Sequence, residues 1–435
     1  MEKAKRRTFN IALESERSDD LPQPHQSKNK PNRANESEGQ GHLWEFIAIA
    51  SIPLVLVLGN SMLVPILPDM QEKMGISRFQ SSLVITLFSI TAGLIIPISG
   101  YLSDRFSRKA VMIPSLIIYG AAGVLAGFGA IWNSYSILII ARAIQGLGAA
   151  GTAPIAMALV GDLYKGGTES KVLGLTEASN GAGKVVSPIF GSLLALMAWF
   201  APFFAFPFFC LLALLGVIFI IKEPKKNKEP QSLKAYIGQI KTILKEKGRW
   251  LITSYFAGSL ALFILFGVLF YLSQILEEKP YQIEGVKKGL ILAIPLLGMV
   301  VTSYTTGALI KKNGTLMRWL INIGLMLMTI SLALTIFFHS NPYVFIGLLT
   351  SSGIGTGLLL PCLNTMITGS VETEQRGMIT SLYNSLRFIG VALGPPIFGW
   401  LMNVSHQAIF ITVSSLALLT LGLAFFFIKP KGQIN

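Results

Sequence analysis

Long apolar runs, each closed by a short polar or turn-forming stretch, recur from residue 43 to residue 428. A helix that crosses a bilayer needs about 20 apolar residues. Runs of that length lie near 43–67, 82–103, 110–131, 135–161, 170–196, 200–221, 251–276, 287–310, 317–338, 343–369, 378–403 and 405–428. The pattern predicts an all-α polytopic membrane protein with twelve transmembrane helices. Residues 43–222 and 251–428 would form two six-helix bundles, separated by a basic connector at 223–250.

Three regions lack the long apolar runs. Residues 1–42 mix Lys3, Lys5, Arg6 and Arg7 with Glu14, Glu16, Asp19 and Asp20, a composition expected to stay disordered. No apolar signal-peptide segment precedes residue 43, so the first span is expected to direct insertion. Within the connector, Leu233, Tyr236, Ile237, Ile240, Ile243 and Leu244 recur at helical spacing among Lys234, Lys241, Lys245 and Lys247. That pattern suits a helix lying on an anionic leaflet, with a solvated basic linker as its alternative. Residues 429–435 form a short tail.

Composition agrees with the pattern. Of 435 residues, 52% are hydrophobic and 13% charged, about half the share of charge in soluble domains. A net charge of +14 would suggest nucleic acid in a soluble protein, but in a membrane protein it marks the cytoplasmic loops. With the spans placed as above, 28 Lys and Arg fall on the side of the termini and 5 on the opposite side. Both termini are therefore expected in the cytoplasm and the chain in the plasma (inner) membrane. Cys210 and Cys362 lie inside apolar runs, so neither a disulfide nor a metal site is expected. No nucleophile–base pair or cofactor motif points to an enzyme. Gly146 to Gly151 matches G-x-G-x-x-G by spacing only, because it sits inside an apolar helix and not between a strand and a helix.

The two halves align at a constant offset of 207 without gaps. Gly100 corresponds to Gly307, Gly146, Gly148 and Pro154 to Gly353, Gly355 and Pro361, and Gly183 and Pro188 to Gly390 and Pro395. Six spans return the chain to its starting side, so these are parallel repeats related about the membrane normal.

Three segments carry candidate chemistry. After span two the chain reads Gly100-Tyr101-Leu102-Ser103-Asp104-Arg105-Phe106-Ser107-Arg108-Lys109. This is a charge cluster suited to latching one face of the molecule, or else a basic turn that follows topology rules. Span four carries Arg142-Ala143-Ile144-Gln145-Gly146-Leu147-Gly148-Ala149-Ala150, and span five carries Gly183-Lys184-Val185-Val186-Ser187-Pro188-Ile189-Phe190-Gly191-Ser192. A charge at the depth of Arg142 costs roughly 3 kcal/mol, which favours a place facing an interior cavity. The alternative is a structural arginine bonded to helix carbonyls.

The first segment resembles the G-x-L-x-D-R-x-G-R-K loop of the major facilitator superfamily, with Ser107 where glycine is usual and a less tightly wound turn expected. The second is similar to the R-x-x-Q-G-x-G-A-A motif of its proton-coupled members. The third resembles the G-x-x-x-G-P-x-x-G-G antiporter motif, with serines at 187 and 192. The resemblance covers residues 43–428 and is nearest the twelve-helix drug:proton antiporter branch. It implies a cytoplasmic gate at Gly100, Asp104, Arg105, Arg108 and Lys109, a proton-coupling role for Arg142, and an antiporter helix built on Gly183, Ser187, Pro188 and Gly191.

Glu177, Asn180 and Lys184 fall on one face of span five, and Asn384 and Arg387 form a similar stripe on span eleven. These stripes, with Arg142, are expected to line a central cavity, against the alternative of a packed polar network. A carboxyl or lysine held away from water can titrate near neutrality, so Glu177 is the favoured proton carrier and Lys184 the second. The expected function is a monomeric proton-coupled exporter of a small amphiphilic molecule, its partners being substrate, protons and lipid, with no nucleic acid. An exporter or flippase of an anionic metabolite, peptide or lipid is the first alternative, and a non-transporting sensor the second.

Overall fold

A computed structural model describes residues 33–164, 166–223, 233–279, 281–310, 313–338, 341–369 and 373–429. Among these residues the chain is helical, without strands. Eleven segments are long and apolar enough to cross a membrane. The twelfth expected span, α7 (Gly166–Ala195), is 30 residues long, and its polar stripe lowers its hydropathy below that of the others. The fold is the expected all-α polytopic one.

Helix α1 (Arg33–Ser61) starts ahead of the expected boundary at 43. Residues 1–32 of the expected tail lie outside the described residues. After Ser61 the chain tightens into a 3-10 turn at Val64–Ile66 and the short α2 (Leu67–Met74), which Gly75 ends in the left-handed conformation (φ 63°). Ser77 then starts α3 (Arg78–Arg105) with a capping box: its side chain accepts from the Gln80 amide, and the Gln80 side chain accepts from the Ser77 amide.

The rest of the first half is α4 (Arg108–Ile131), α5 (Tyr135–Ala150), α6 (Ala153–Leu163), α7, and α8 (Ala201–Leu215) with a π-helical turn at Gly216–Ile220. The expected fourth span is thus two helices, broken at Gly151 and Thr152. A Cβ on Gly151 would lie 1.9 Å from Ser115 Oγ, so the chain passes α4 too closely for a side chain there. Its repeat partner α12 (Pro342–Gly369) carries leucine at 358 and 359 and runs unbroken through Pro361.

The expected surface segment at 233–247 and the span at 251–276 belong to one helix, α9 (Leu233–Ile275). Its 43 residues extend about 65 Å, roughly twice the hydrocarbon core of a bilayer. Residues 224–232 of the connector lie outside the described residues. The second half continues with α10 (Gly285–Ile310), α11 (Gly314–Phe338), α12, α13 (Thr373–Met402) and α14 (His406–Phe427).

The repeat holds in three dimensions. A Cβ on Gly146 would lie 2.3 Å from the Phe88 carbonyl oxygen, and one on Gly353 would lie 2.5 Å from that of Pro295. Glycine and carbonyl are displaced by the same 207 residues. Small residues let α5 approach α3, and α12 approach α10, at backbone distance.

Candidate functional site

Two helix pairs join the halves, and they differ. Along α3–α13 contact is continuous: Thr86 Oγ1 donates to the Ala392 carbonyl (2.7 Å), Ser385 Oγ donates to the Gly93 carbonyl (2.6 Å), and a Cβ on Gly100 would lie 2.8 Å from Ser381 Oγ. Along α7–α10 contact is close at one end only. A Cβ on Gly289 would lie 2.7 Å from the Pro188 carbonyl oxygen, and one on Gly181 would lie 2.9 Å from Val300, but Gly174 and Gly307 have nothing within 4 Å. The seam therefore parts toward the end that carries the basic loop 104–109, here called the basic end.

The opposite, far end is tied shut. Arg78 of α3 pairs with Glu278 beyond α9, and Ser273 Oγ of α9 donates to the Val64 carbonyl (2.8 Å). Lys288 of α10 is buried and pairs with Glu277, with Asp69 of α2 in the same electrostatic neighbourhood. Burial pushes the Glu277 carboxyl up from the usual carboxylate value, and Lys288 opposes the rise. Sequence reasoning passed over this cluster; its signal was the grouping of six acidic and basic residues at 277–288.

The expected exposure of Arg142 to a central cavity needs correction. Its side chain is 0% exposed. It donates to the carbonyls of Val84 (2.8 Å) and Gly59 (3.0 Å), to Asn60 Oδ1 (3.1 Å) and to Gln145 Oε1, and its guanidinium lies 4.5 Å from the centre of the Phe88 ring. Asn60 in turn donates to Ser89 Oγ (2.8 Å). The planar fork thus ties α1, α3 and α5 together. Asn60 was missed; its signal was a lone amide near the end of an apolar run.

The remaining stripe residues do come together. On α7, Ser179 Oγ donates to the Ala50 carbonyl (2.8 Å) and Gly183 faces Leu54, while Gly181 and Pro188 face α10. Glu177 and Lys184 lie on the arc between those two contact faces. Glu177 is exposed, so the expectation that its carboxyl is held away from water needs correction, and Lys184 is half-buried, within electrostatic reach of both Glu177 and Arg387 of α13. Arg387 donates to Asn384 Oδ1 (3.3 Å), and its guanidinium lies 5.4 Å from the centre of the Tyr383 ring. Arg387 Nε and Asn180 Oδ1 are buried without a partner among the described residues.

In the segment 183–191 the two glycines and Ser187 have packing reasons. A Cβ on Gly183 would lie 2.7 Å from Leu54, and one on Gly191 would lie 2.1 Å from the Met62 carbonyl oxygen. Ser187 is buried and donates back to the Gly183 carbonyl. Pro188 supplies no N–H, so the Lys184 carbonyl loses its helical donor. On α13, Gly390 and Gly394 meet the Ser259 and Phe263 carbonyls of α9 in the same way.

The loop 100–109 holds a connected charge network. Arg108 is buried, paired with Asp104 (2.6 Å) and Asp162 (2.8 Å), and donates to Ser103 Oγ (2.7 Å). Ser107, far from loosening the turn, caps α4: it adopts an extended conformation and accepts from the Ala110 amide (3.0 Å). Glu223 accepts from the Arg108 amide (2.6 Å) and the Lys109 amide (3.0 Å), a carboxylate seated on a helix N-terminus. Lys109 Nζ reaches the carbonyls of Ile218 and Ile221. Arg105 donates to Tyr101 Oη (3.2 Å), and the Tyr101 ring meets Tyr236 of α9 edge-on. Asp162 and Glu223 were missed; their signal was an acidic residue at the end of spans four and six, on the side of the basic loop.

Comparison with known proteins agrees with this architecture. The family model described as Major Facilitator Superfamily matches residues 49–328 and 281–435. A bacillibactin exporter of Bacillus subtilis (strain 168) is 45% identical over 389 residues, covering 88% of this chain and 96% of its own. Multidrug resistance protein 1 of the same organism is 29% identical, with 83% and 90% covered. The crystal structure of the human organic anion transporter MFSD10 (TETRAN) shares the fold, with a TM-score of 0.70 at 19% identity, covering 88% of this chain and 99% of that one. The protein is a multi-pass membrane transporter rather than an enzyme, and it belongs to the major facilitator superfamily.

Proposed function

We propose that the protein is a proton-coupled antiporter that exports a small amphiphilic molecule by alternating access, with its termini and basic end in the cytoplasm. The observation that carries this reading is the asymmetric α7–α10 seam: packed at Gly289 and open at Gly174 and Gly307, with Glu177 exposed on the opened stretch. Such an arrangement suits a state that admits cargo from the basic end. The excess of Lys and Arg on that side supports the cytoplasmic assignment.

Glu177 is the proton carrier in this reading, and Lys184 and Arg387 are the charges that respond to it. A ligand shifts a two-state equilibrium only by its difference in affinity for the two states. Protonating Glu177 removes one negative charge near Lys184, which also lies near Arg387 of the other half, and so changes the balance between the halves. Arg142 acts indirectly, by holding α1, α3 and α5 rigid. The chain works as a monomer. Since a 45% identical relative is named for bacillibactin, that compound is the first cargo to test, with ethidium as a generic amphiphile.

The test is accumulation of each compound in everted vesicles under an imposed inside-acid gradient. Wild-type protein is expected to drive uptake of at least one compound, and Glu177→Gln to abolish the dependence on the gradient. Uptake indifferent to the gradient, or a Glu177→Gln variant equal to wild type, would contradict the assignment.

A further inference from the structure

Lys184 and Arg387 stand on opposite halves of the molecule, on α7 and α13. Arg387 lies within electrostatic reach of Lys184. Among the described residues neither makes an ion pair within 4 Å, whereas the carboxylates of the two ends are paired at Glu278, Glu277, Asp104 and Asp162. Arg387 Nε is buried with no acceptor, and the other named contacts of Arg387 are the neutral Asn384 and the Tyr383 ring. The nearby Glu177 is a single carboxylate for two cations.

Two unpaired cations inside a membrane protein are costly unless something anionic meets them. A guanidinium with a free N–H and an ammonium together suit an oxyanion, the first by its planar fork and the second as a point charge. We infer that Lys184 and Arg387 form the substrate's anion site, in which an organic acid bridges the two halves through its acidic oxygens. The inference rests on the transport reading above and narrows its cargo from amphiphiles in general to those bearing an anionic group. It also gives the anion a conformational role. Without ligand the two cations repel between the halves, and a bridging anion turns that repulsion into attraction and draws α7 and α13 together.

The experiment uses full-length protein in everted vesicles with two dyes, carboxyfluorescein as an amphiphilic anion and ethidium as an amphiphilic cation, with and without an inside-acid gradient. Carboxyfluorescein uptake is expected. Lys184→Ala and Arg387→Ala should each lower it about tenfold or more, the equivalent of about 1.4 kcal/mol, while Lys184→Arg and Arg387→Lys should restore most of it. Unchanged thermal unfolding of the alanine variants separates loss of the site from loss of the fold. Uptake of ethidium alone, uptake of neither dye, or alanine variants that move the anion at the wild-type rate would overturn the inference. Ethidium uptake that follows the gradient would leave proton-driven export standing without the anion site. Carboxyfluorescein uptake that ignores the gradient but needs Lys184 and Arg387 would leave the anion site standing without proton coupling.

Discussion

Gly146 lies so close to the Phe88 carbonyl that a methyl group there would stand 2.3 Å from the oxygen. The contact is backbone against backbone, and no rotamer change relieves it. Gly146→Ala is therefore expected to destabilise the protein by about 1–3 kcal/mol, and Gly353→Ala, which meets Pro295 at 2.5 Å, by a similar amount. Thermal unfolding in detergent measures both. A neutral result at either position would mean that the helix pairs pack less closely than described.

Arg142 and Glu177 should separate cleanly into stability and coupling. Arg142→Ala removes the donors that hold the Val84 and Gly59 carbonyls and Asn60, so a loss of about 3 kcal/mol is expected. Glu177 is exposed, and Glu177→Gln should leave unfolding within about 0.5 kcal/mol of wild type while abolishing the response to a proton gradient. An Arg142→Ala variant of wild-type stability would return that arginine to a direct coupling role.

The basic loop gives a pairwise test. Arg108 and Asp162 meet at 2.8 Å with Arg108 buried, and a double-mutant cycle on Arg108→Ala and Asp162→Ala should give a coupling energy of about 1–3 kcal/mol. Glu223→Ala, which strips the carboxylate from the α4 amides, should cost about 1 kcal/mol. Additivity in the cycle would show that the two side chains act independently.

Much of this was legible in the sequence and some of it was not. The spans and the offset of 207 follow from hydropathy and from glycines whose packing partners repeat with them. The placement of Arg142 did not follow, because an arginine in an apolar run looks the same whether it faces water or helix carbonyls. Asp162 and Glu223 are 54 and 115 residues from Arg108, so no local pattern names them as its partners. The break at Gly151 lies against the neighbouring Ser115, and α9 runs on through Gly248, a glycine after a lysine-rich turn that reads locally as a helix stop.

The far end should respond to pH through Glu277. Its carboxyl is raised from 4.5 in the closed arrangement by burial, with Lys288 lowering it and Asp69 and Glu284 raising it. Between 4.5 and the raised value the closed form holds more protons than an opened, hydrated one. Acidification through that window therefore favours closure, and the benefit is lost as pH rises past the raised value. Spin labels at Lys73→Cys and Lys279→Cys, both exposed positions, would report the distance across this end. The short-distance population should grow on acidification, and Glu277→Gln should flatten the response. Growth in the opposite direction would contradict the assignment.

The central claim is that Glu177 faces an aqueous opening reached from the cytoplasm. Both native cysteines, Cys210 and Cys362, are buried, so a Glu177→Cys variant offers a nearly unique target for a membrane-impermeant maleimide. The reagent is predicted to modify the variant in sealed everted vesicles and to leave it largely unmodified in right-side-out ones. Modification from the outer face alone, or from neither face, would contradict the account.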